Sequence, residues 1–185
     1  MDVAVEAAPR EEFLPQDQRE RASYDGPLDI GHGQTNSQPR TVAAMLRLLE
    51  VRPGDRVLDV GAGSGWTTAL LAHLTGPTGS VRGVEVKPGL VAFGASNLAR
   101  QDVAWASIVQ AEAGVLGLPD HGPYDRILVS AEARRLPDAL VGQLGEGGRM
   151  VLPVNGTMLL VEQEGEPRSQ PRVTRHGSYR FVPLL

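Results

Sequence analysis

The chain contains no cysteine, which excludes disulfides, thiolate nucleophiles and cysteine-ligated zinc. Its four histidines, His32, His73, His121 and His176, are scattered without ligand spacing, so a metal site would rest on carboxylates alone, and nothing marks one. No run of lysine or arginine forms an electrostatic footprint for nucleic acid, and a net charge of −4 argues in the same direction. No stretch of about 18 apolar residues is present to cross a bilayer, and Met1-Asp2-Val3-Ala4-Val5-Glu6 lacks a basic region followed by an apolar one. A cytoplasmic protein without nucleic-acid or membrane partners is expected. Low complexity is missing too: Gly (22) and Pro (14) make up less than a fifth of the 185 residues. That length suits one domain over 1–185 with a sizeable core, and a monomer is expected.

Against these absences stands Val57-Leu58-Asp59-Val60-Gly61-Ala62-Gly63-Ser64-Gly65-Trp66, three glycines at alternating positions between an extended run and a helix-like segment. Gly61, Gly63 and Gly65 lack a Cβ, so the loop can adopt positive φ and bring its N–H groups close to a ligand. A dinucleotide fingerprint needs its third glycine three positions after the second. Trp66 occupies that place, and its indole would obstruct a pyrophosphate. Glu85, at the end of the next extended run, offers two acceptor oxygens and no donor, which suits both hydroxyls of a ribose. Taken alone, the loop is also compatible with an ordinary turn and Glu85 with a solvated charge.

The hydrophobic period alternates between helical and extended types, the pattern of a sheet with helices on its faces. Helices are expected at 37–50, 64–74, 88–100 and 137–144, the first with Ser37 as N-cap and Pro39 in its first turn. Strands are expected at 55–60, 80–86, 105–110, 126–130 and 149–154. Two more, at 158–162 and 179–184, have no intervening helix long enough for a parallel crossover, so an antiparallel edge is expected.

Upstream lies Gly31-His32-Gly33-Gln34-Thr35-Asn36-Ser37-Gln38-Pro39, a polar loop feeding a helix start. Local grammar permits an ordinary helix entrance, with two turn glycines and a solvated His32. The G-x-G-x-G motif resembles the first motif of S-adenosylmethionine (AdoMet) dependent methyltransferases, and the loop resembles the substrate-facing signature of protein-L-isoaspartate O-methyltransferases, Gly-aromatic-Gly-Gln-Thr-x-Ser-x-Pro. The resemblance is colinear over nearly the whole chain. It includes Ala8-Pro9-Arg10-Glu11-Glu12-Phe13-Leu14-Pro15, the approach Pro119-Asp120-His121-Gly122-Pro123-Tyr124-Asp125-Arg126-Ile127, the strand Gly147-Gly148-Arg149-Met150-Val151-Leu152-Pro153-Val154, and the ending Arg180-Phe181-Val182-Pro183-Leu184-Leu185.

That resemblance implies an α/β, Rossmann-like AdoMet-dependent methyltransferase fold, with a mostly parallel central sheet and an antiparallel C-terminal edge. It implies a substrate and lid segment at 1–50, a cofactor core at 51–154 and closing strands at 155–185. The implied activity is protein repair: a methyl group passes from AdoMet to the α-carboxylate of an L-isoaspartyl residue in a damaged protein or peptide, and the ester then cyclises to a succinimide. Cofactor contacts are implied for Gln34, Asp59, Gly61, Gly63, Gly65, Glu85, Glu112 and Ala113. Acceptor contacts are implied for Thr35, Ser37, Ser130 and Ala131, with Ser37 as the active-site serine. A carboxylate is ionised at neutral pH, so no strong general base is required, and alignment is the main task. A nucleophilic serine is unnecessary because no acyl intermediate forms.

The chain departs from the family pattern at several places. Glu112-Ala113-Gly114 stands where the family has Gly-Asp-Gly, whose acid contacts the adenine amino group. Ser130-Ala131-Glu132-Ala133-Arg134-Arg135 carries charges where the family is small and apolar, and Thr157 replaces a frequent glutamine. The start falls within what is usually a longer N-terminal helix, so a shortened lid is expected. Two alternatives follow: a related methyltransferase acting on another carboxylate, in a modified peptide or small metabolite, and a nonenzymatic descendant that binds protein partners.

Overall fold

Arg56–Val60 (β3) is buried at every residue after the first, as expected of a parallel strand covered on both faces. The structure, a computed structural model, describes residues 2–165 and 170–184, the first two of them by backbone alone. In chain order the elements are α1 (Asp2–Ala7), two short 3-10 turns, β1 (Leu28–Gly31), β2 (Gln34–Asn36), α2 (Pro39–Leu49), β3, α3 (Trp66–Thr75), β4 (Ser80–Glu85), α4 (Pro88–Leu98), β5 (Ala106–Gln110), a third 3-10 turn (Pro119–His121), β6 (Tyr124–Val129), α5 (Asp138–Val141), β7 (Leu144–Val154), β8 (Thr157–Glu162) and β9 (Arg172–Ser178).

Among the described residues, seven strands form one sheet in the order β5-β4-β3-β6-β7-β8-β9. The first five pair in parallel, and β8 and β9 add on antiparallel. Each face has its own core. Val57, Leu128 and Val151 pack under α2 and α3 with Leu46 and Leu70, while Leu58, Ile127 and Met150 pack with Leu140 and Leu144 on the other side. Chain order reverses between β3 and β6, and a cleft opens at the carboxyl ends of strands at such a switch point.

Three expectations are corrected. Ser37 is not the N-cap of α2: Gln38 holds that position and makes no side-chain capping bond. Asp25 caps from outside instead, its Oδ1 accepting the Arg40 N–H at 3.1 Å while its Oδ2 pairs with the Arg40 guanidinium at 2.9 Å. The last strand is β9, at Arg172–Ser178, and not 179–184. That later stretch carries Pro183, which has no N–H to give a ladder, and it turns back across Glu132. Finally, the loop at 31–39 is largely a β-hairpin. Gly31, His32 and Gly33 take φ of +84°, +57° and +71° at its tip, and Leu28 and Ile30 pack with Leu14 and Leu90 as a small separate core.

Candidate active site

The glycine loop at the end of β3 has positive φ at each predicted glycine: +81° at Gly61, +53° at Gly63 and +88° at Gly65. Helix α4 passes close behind it. A Cβ on Gly94 would lie 2.7 Å from the Gly63 carbonyl oxygen and one on Gly65 would lie 2.9 Å from the Gly94 carbonyl oxygen, so both glycines are required by contact, and Gly65 by its torsion as well. Loop and β4 are joined by Glu85, which is 5% exposed and accepts the Gly63 N–H at Oε2 (3.0 Å) and the Lys87 N–H at Oε1 (2.9 Å). Each oxygen retains a further lone pair. Glu85 is therefore both a loop anchor and a remaining acceptor at the cavity wall.

Asp59 lies behind the loop and does not line the cavity. It is fully buried, and its Oδ2 accepts the hydroxyls of Thr67 and Thr68 at 2.7 Å each, while Oδ1 has no hydrogen-bond partner. Burial pushes its carboxyl up to about 6, the two threonine hydroxyls restrain the rise, and the neighbouring Glu85 charge adds to it. From behind the loop its charge, beside that of Glu85, adds negative potential to this side of the cavity, which suits a cationic ligand.

The cavity at the glycine loop encloses about 680 Å³, within the usual range of a small-molecule site. It contains Gln34, Thr35, Ser37, Gly61, Gly63, Glu85, Glu112, Ala113, Ser130 and Ala131 in its wall, bringing together all but two of the residues singled out in the sequence. The exceptions are Asp59 and Gly65, both one layer behind. Ser37 and Ser130 are half-buried, and among the described residues their hydroxyls meet no protein partner. Glu112 and Ala113 are both exposed at the rim beyond β5. The wall beside them is apolar, formed by the half-buried Ala111, Val115 and Leu116 with the exposed Val86 at its edge.

Several contributors were not legible from motif or spacing. Trp66 lies in the wall and donates its indole N–H to the Ala8 carbonyl at 3.0 Å, which fixes the N-terminal segment against the loop. Asn36 donates to the Ser64 hydroxyl at 3.1 Å, bridging hairpin and glycine loop. Glu132, one of the unexpected charges, is a structural anchor: its carboxylate accepts the N–H groups of Gly156 (3.0 Å) and Phe181 (3.4 Å), and its backbone bonds to Val182 and Leu184. Those contacts lay Val182, Pro183 and Leu184 along the cavity. No group of three or more metal-ligating side chains occurs among the described residues, and none of their helices is long and apolar enough to cross a membrane.

Residues 2–185 match the family Protein-L-isoaspartate(D-aspartate) O-methyltransferase (PCMT). The chain belongs to this family. A protein-L-isoaspartate O-methyltransferase of Methanopyrus kandleri is 45% identical over 188 residues, covering 98% of this chain and 81% of the relative. Another from Methanocella arvoryzae is 43% identical, covering 98% and 96%. Among solved structures, a Plasmodium falciparum protein provisionally described as a protein-L-isoaspartate O-methyltransferase, in complex with S-adenosyl-L-homocysteine, superposes with a TM-score of 0.83. Its identity is 28%, and the match covers 99% of this chain and 88% of that one. A second protein-L-isoaspartate O-methyltransferase gives a TM-score of 0.86 at 27% identity, covering 100% of this chain and 61% of that one. The fold is the Rossmann-like one of AdoMet-dependent methyltransferases, with the parallel centre and antiparallel edge expected from the sequence.

Proposed function

We propose that the protein is an AdoMet-dependent methyltransferase acting on the α-carboxylate of L-isoaspartyl residues in proteins or peptides. The observation that carries this reading is one cavity that joins two chemically distinct sets of groups: the Gly61–Gly65 loop with Glu85, and the hydroxyls of Ser37 and Ser130, which meet no protein partner among the described residues. The first set fits AdoMet, a cation with a ribose, because Glu85 keeps free lone pairs and the Asp59 charge adds negative potential from behind the loop. The cofactor, when bound, supplies a methyl group that passes from sulfur to a carboxylate oxygen, leaving S-adenosylhomocysteine and a methyl ester.

The residues of the chain do the rest by placement. Ser37 and Thr35, on the hairpin side, and Ser130, at the end of β6, donate hydrogen bonds that hold the acceptor carboxylate without needing its proton. Gln34 and the 112–113 turn border the cofactor side, where Ala113 leaves packing and backbone to hold the adenine. Val182 and Leu184 narrow the cavity and exclude water from the reacting anion. A wall drawn from all three stretches supports an enzyme of one domain, residues 1–50 and 155–185 completing the core at 51–154, which we propose acts as a monomer.

Family membership, with relatives of this name matched over 98% of this chain, favours this reading over a different carboxylate acceptor. With tritiated AdoMet, an isoaspartyl peptide is expected to gain base-labile methyl ester while its aspartyl twin does not. Ser37→Ala should lower turnover more than it lowers cofactor affinity. Equal labelling of the two peptides would point to another acceptor. Failure to bind S-adenosylhomocysteine in calorimetry would point to a nonenzymatic binder.

A further inference from the structure

Arg10 begins the first 3-10 turn, Arg10–Phe13, and is only 6% exposed. Burial pulls its guanidinium down to about 10, partly offset by the Asp25 charge. Taking such a group out of water is costly unless its donors are all satisfied. Here Nε donates to Asn36 Oδ1 at 2.7 Å, and Nη1 to the carbonyls of Tyr24 (2.8 Å) and Ala22 (3.3 Å). Nη2 donates to the carbonyls of Gly26 (2.8 Å), Ser37 (2.9 Å) and Asn36 (3.1 Å). The flat face of the group lies over Trp66, 5.5 Å from its ring centre.

Stability alone is a weak reason for this arrangement, since apolar side chains of similar volume often replace buried charges without loss. What a planar fork of five donors does, and an apolar group does not, is fix several carbonyls in one plane. Two of the carbonyls it holds, those of Asn36 and Ser37, belong to the peptide units on either side of the Ser37 Cα. Holding both pins φ and ψ of Ser37, and with them the direction in which its hydroxyl leaves the backbone. Asn36, held through its side-chain oxygen, passes its amide to Ser64 in the glycine loop. The hairpin is thereby registered against the loop through a single side chain.

We propose that Arg10 is a positioning residue for methyl transfer, setting the Ser37 hydroxyl at a fixed offset from the glycine loop with Asn36 as the link between them. The inference rests on the acceptor role of Ser37 given above. Arg10→Lys keeps the charge and loses the fork. Its kcat on an isoaspartyl peptide is expected to fall about 100-fold, the scale of a misplacement near 1 Å, while affinity for S-adenosylhomocysteine stays within about threefold. On a Ser37→Ala background the same change should lower kcat/KM by less than about threefold, because nothing remains to be positioned. A role limited to folding would weaken cofactor and peptide alike, in proportion to the unfolded fraction. Should Arg10→Lys fail to fold, Asn36→Ala interrupts the same link and should show the same kcat-selective loss. Equal losses for both ligands, an unchanged kcat, or multiplicative losses with Ser37→Ala overturn the role of Arg10. Failure of the parent protein to label any isoaspartyl peptide overturns instead the functional reading, and the role of Arg10 with it.

Discussion

Asp59 shows how a single residue can carry opposing demands. Its folded-state value of about 6 lies above the ordinary aspartate value of 3.8. The folded protein therefore holds that proton more tightly than the unfolded chain. The resulting stabilisation is complete below about pH 3.8 and is lost as pH rises through about 6, so that at pH 8 ionised Asp59 costs about 3 kcal/mol. Asn in its place would still accept from Thr67 and Thr68 without carrying charge. Asp59→Asn is expected to raise the melting temperature at pH 8, with the advantage shrinking toward zero near pH 4. Thermal denaturation at both pH values checks this, and an advantage that does not change with pH would mean that Asp59 titrates normally. That the chain keeps an acid there, against its own stability, fits a ligand whose positive charge offsets the cost. Glu85 shows a related double duty. In the sequence it stands only as a ribose acceptor, yet in the fold it also satisfies two backbone N–H groups of the loop region.

At the scale of elements, Gly94 inverts an ordinary rule. A glycine in mid-helix normally gains about 1 kcal/mol on replacement by alanine. In α4 the new Cβ would meet the Gly63 carbonyl oxygen at 2.7 Å and Ile108 Cδ1 at 3.0 Å, and the first is backbone that cannot swing aside. Overpacking of this kind costs about 1 to 3 kcal/mol, so Gly94→Ala is expected to be destabilising on balance and to weaken S-adenosylhomocysteine binding by displacing the loop. Chemical denaturation and calorimetry on the variant check both parts. The same glycine illustrates what a sequence discloses. It reads as a weak point in a helix, because the partner that makes it necessary lies some thirty residues away in the chain.

The central strands were legible, since Arg56–Val60 and Tyr124–Val129 are apolar runs closed by turn residues, and the glycine loop announced its own torsions. The hairpin of β1 and β2 was not, because Leu-Asp-Ile-Gly and Gln-Thr-Asn are too short and too polar to show a period. The edge strand β9, Arg-Val-Thr-Arg-His-Gly-Ser, is largely exposed and lacks the apolar run that drew attention to 179–184 instead. Cavity residues carried by a motif were found. Arg10, Asn36 and Glu132 were not assigned their roles, because each acts on groups far away in the chain: backbone for Arg10 and Glu132, the Ser64 hydroxyl and the Arg10 guanidinium for Asn36.

The whole molecule separates its tasks along the strand direction. The carboxyl ends of the parallel strands carry the cavity, whereas the amino ends carry an ionic lattice. Arg126 is buried there, with Nε 3.4 Å from Asp55 and 3.1 Å from the Glu50 carbonyl, and Arg149 pairs with Glu50 and Glu162. Arg126→Ala would leave Asp55, itself largely covered, without its charged partner, the Arg52 N–H at 2.7 Å remaining on Oδ2. A loss of about 3 kcal/mol in folding stability is expected, with cofactor affinity unchanged at temperatures where the variant is folded. Denaturation read alongside calorimetry checks that separation, and a parallel fall in affinity would show the two ends to be coupled.

The cavity wall draws on residues from Ile30 to Leu184, so the hairpin near one end of the described chain and the 182–184 stretch near the other belong to one site and are held together by the sheet between them. Contacts so distant in sequence return their stabilisation only once the entropy of closing the intervening chain has been met. No fragment of the chain and no half-folded intermediate can own this site. On the proposed reading, the protein must finish its own folding before it can touch the carboxylate of another, and quality control of other proteins would begin with its own.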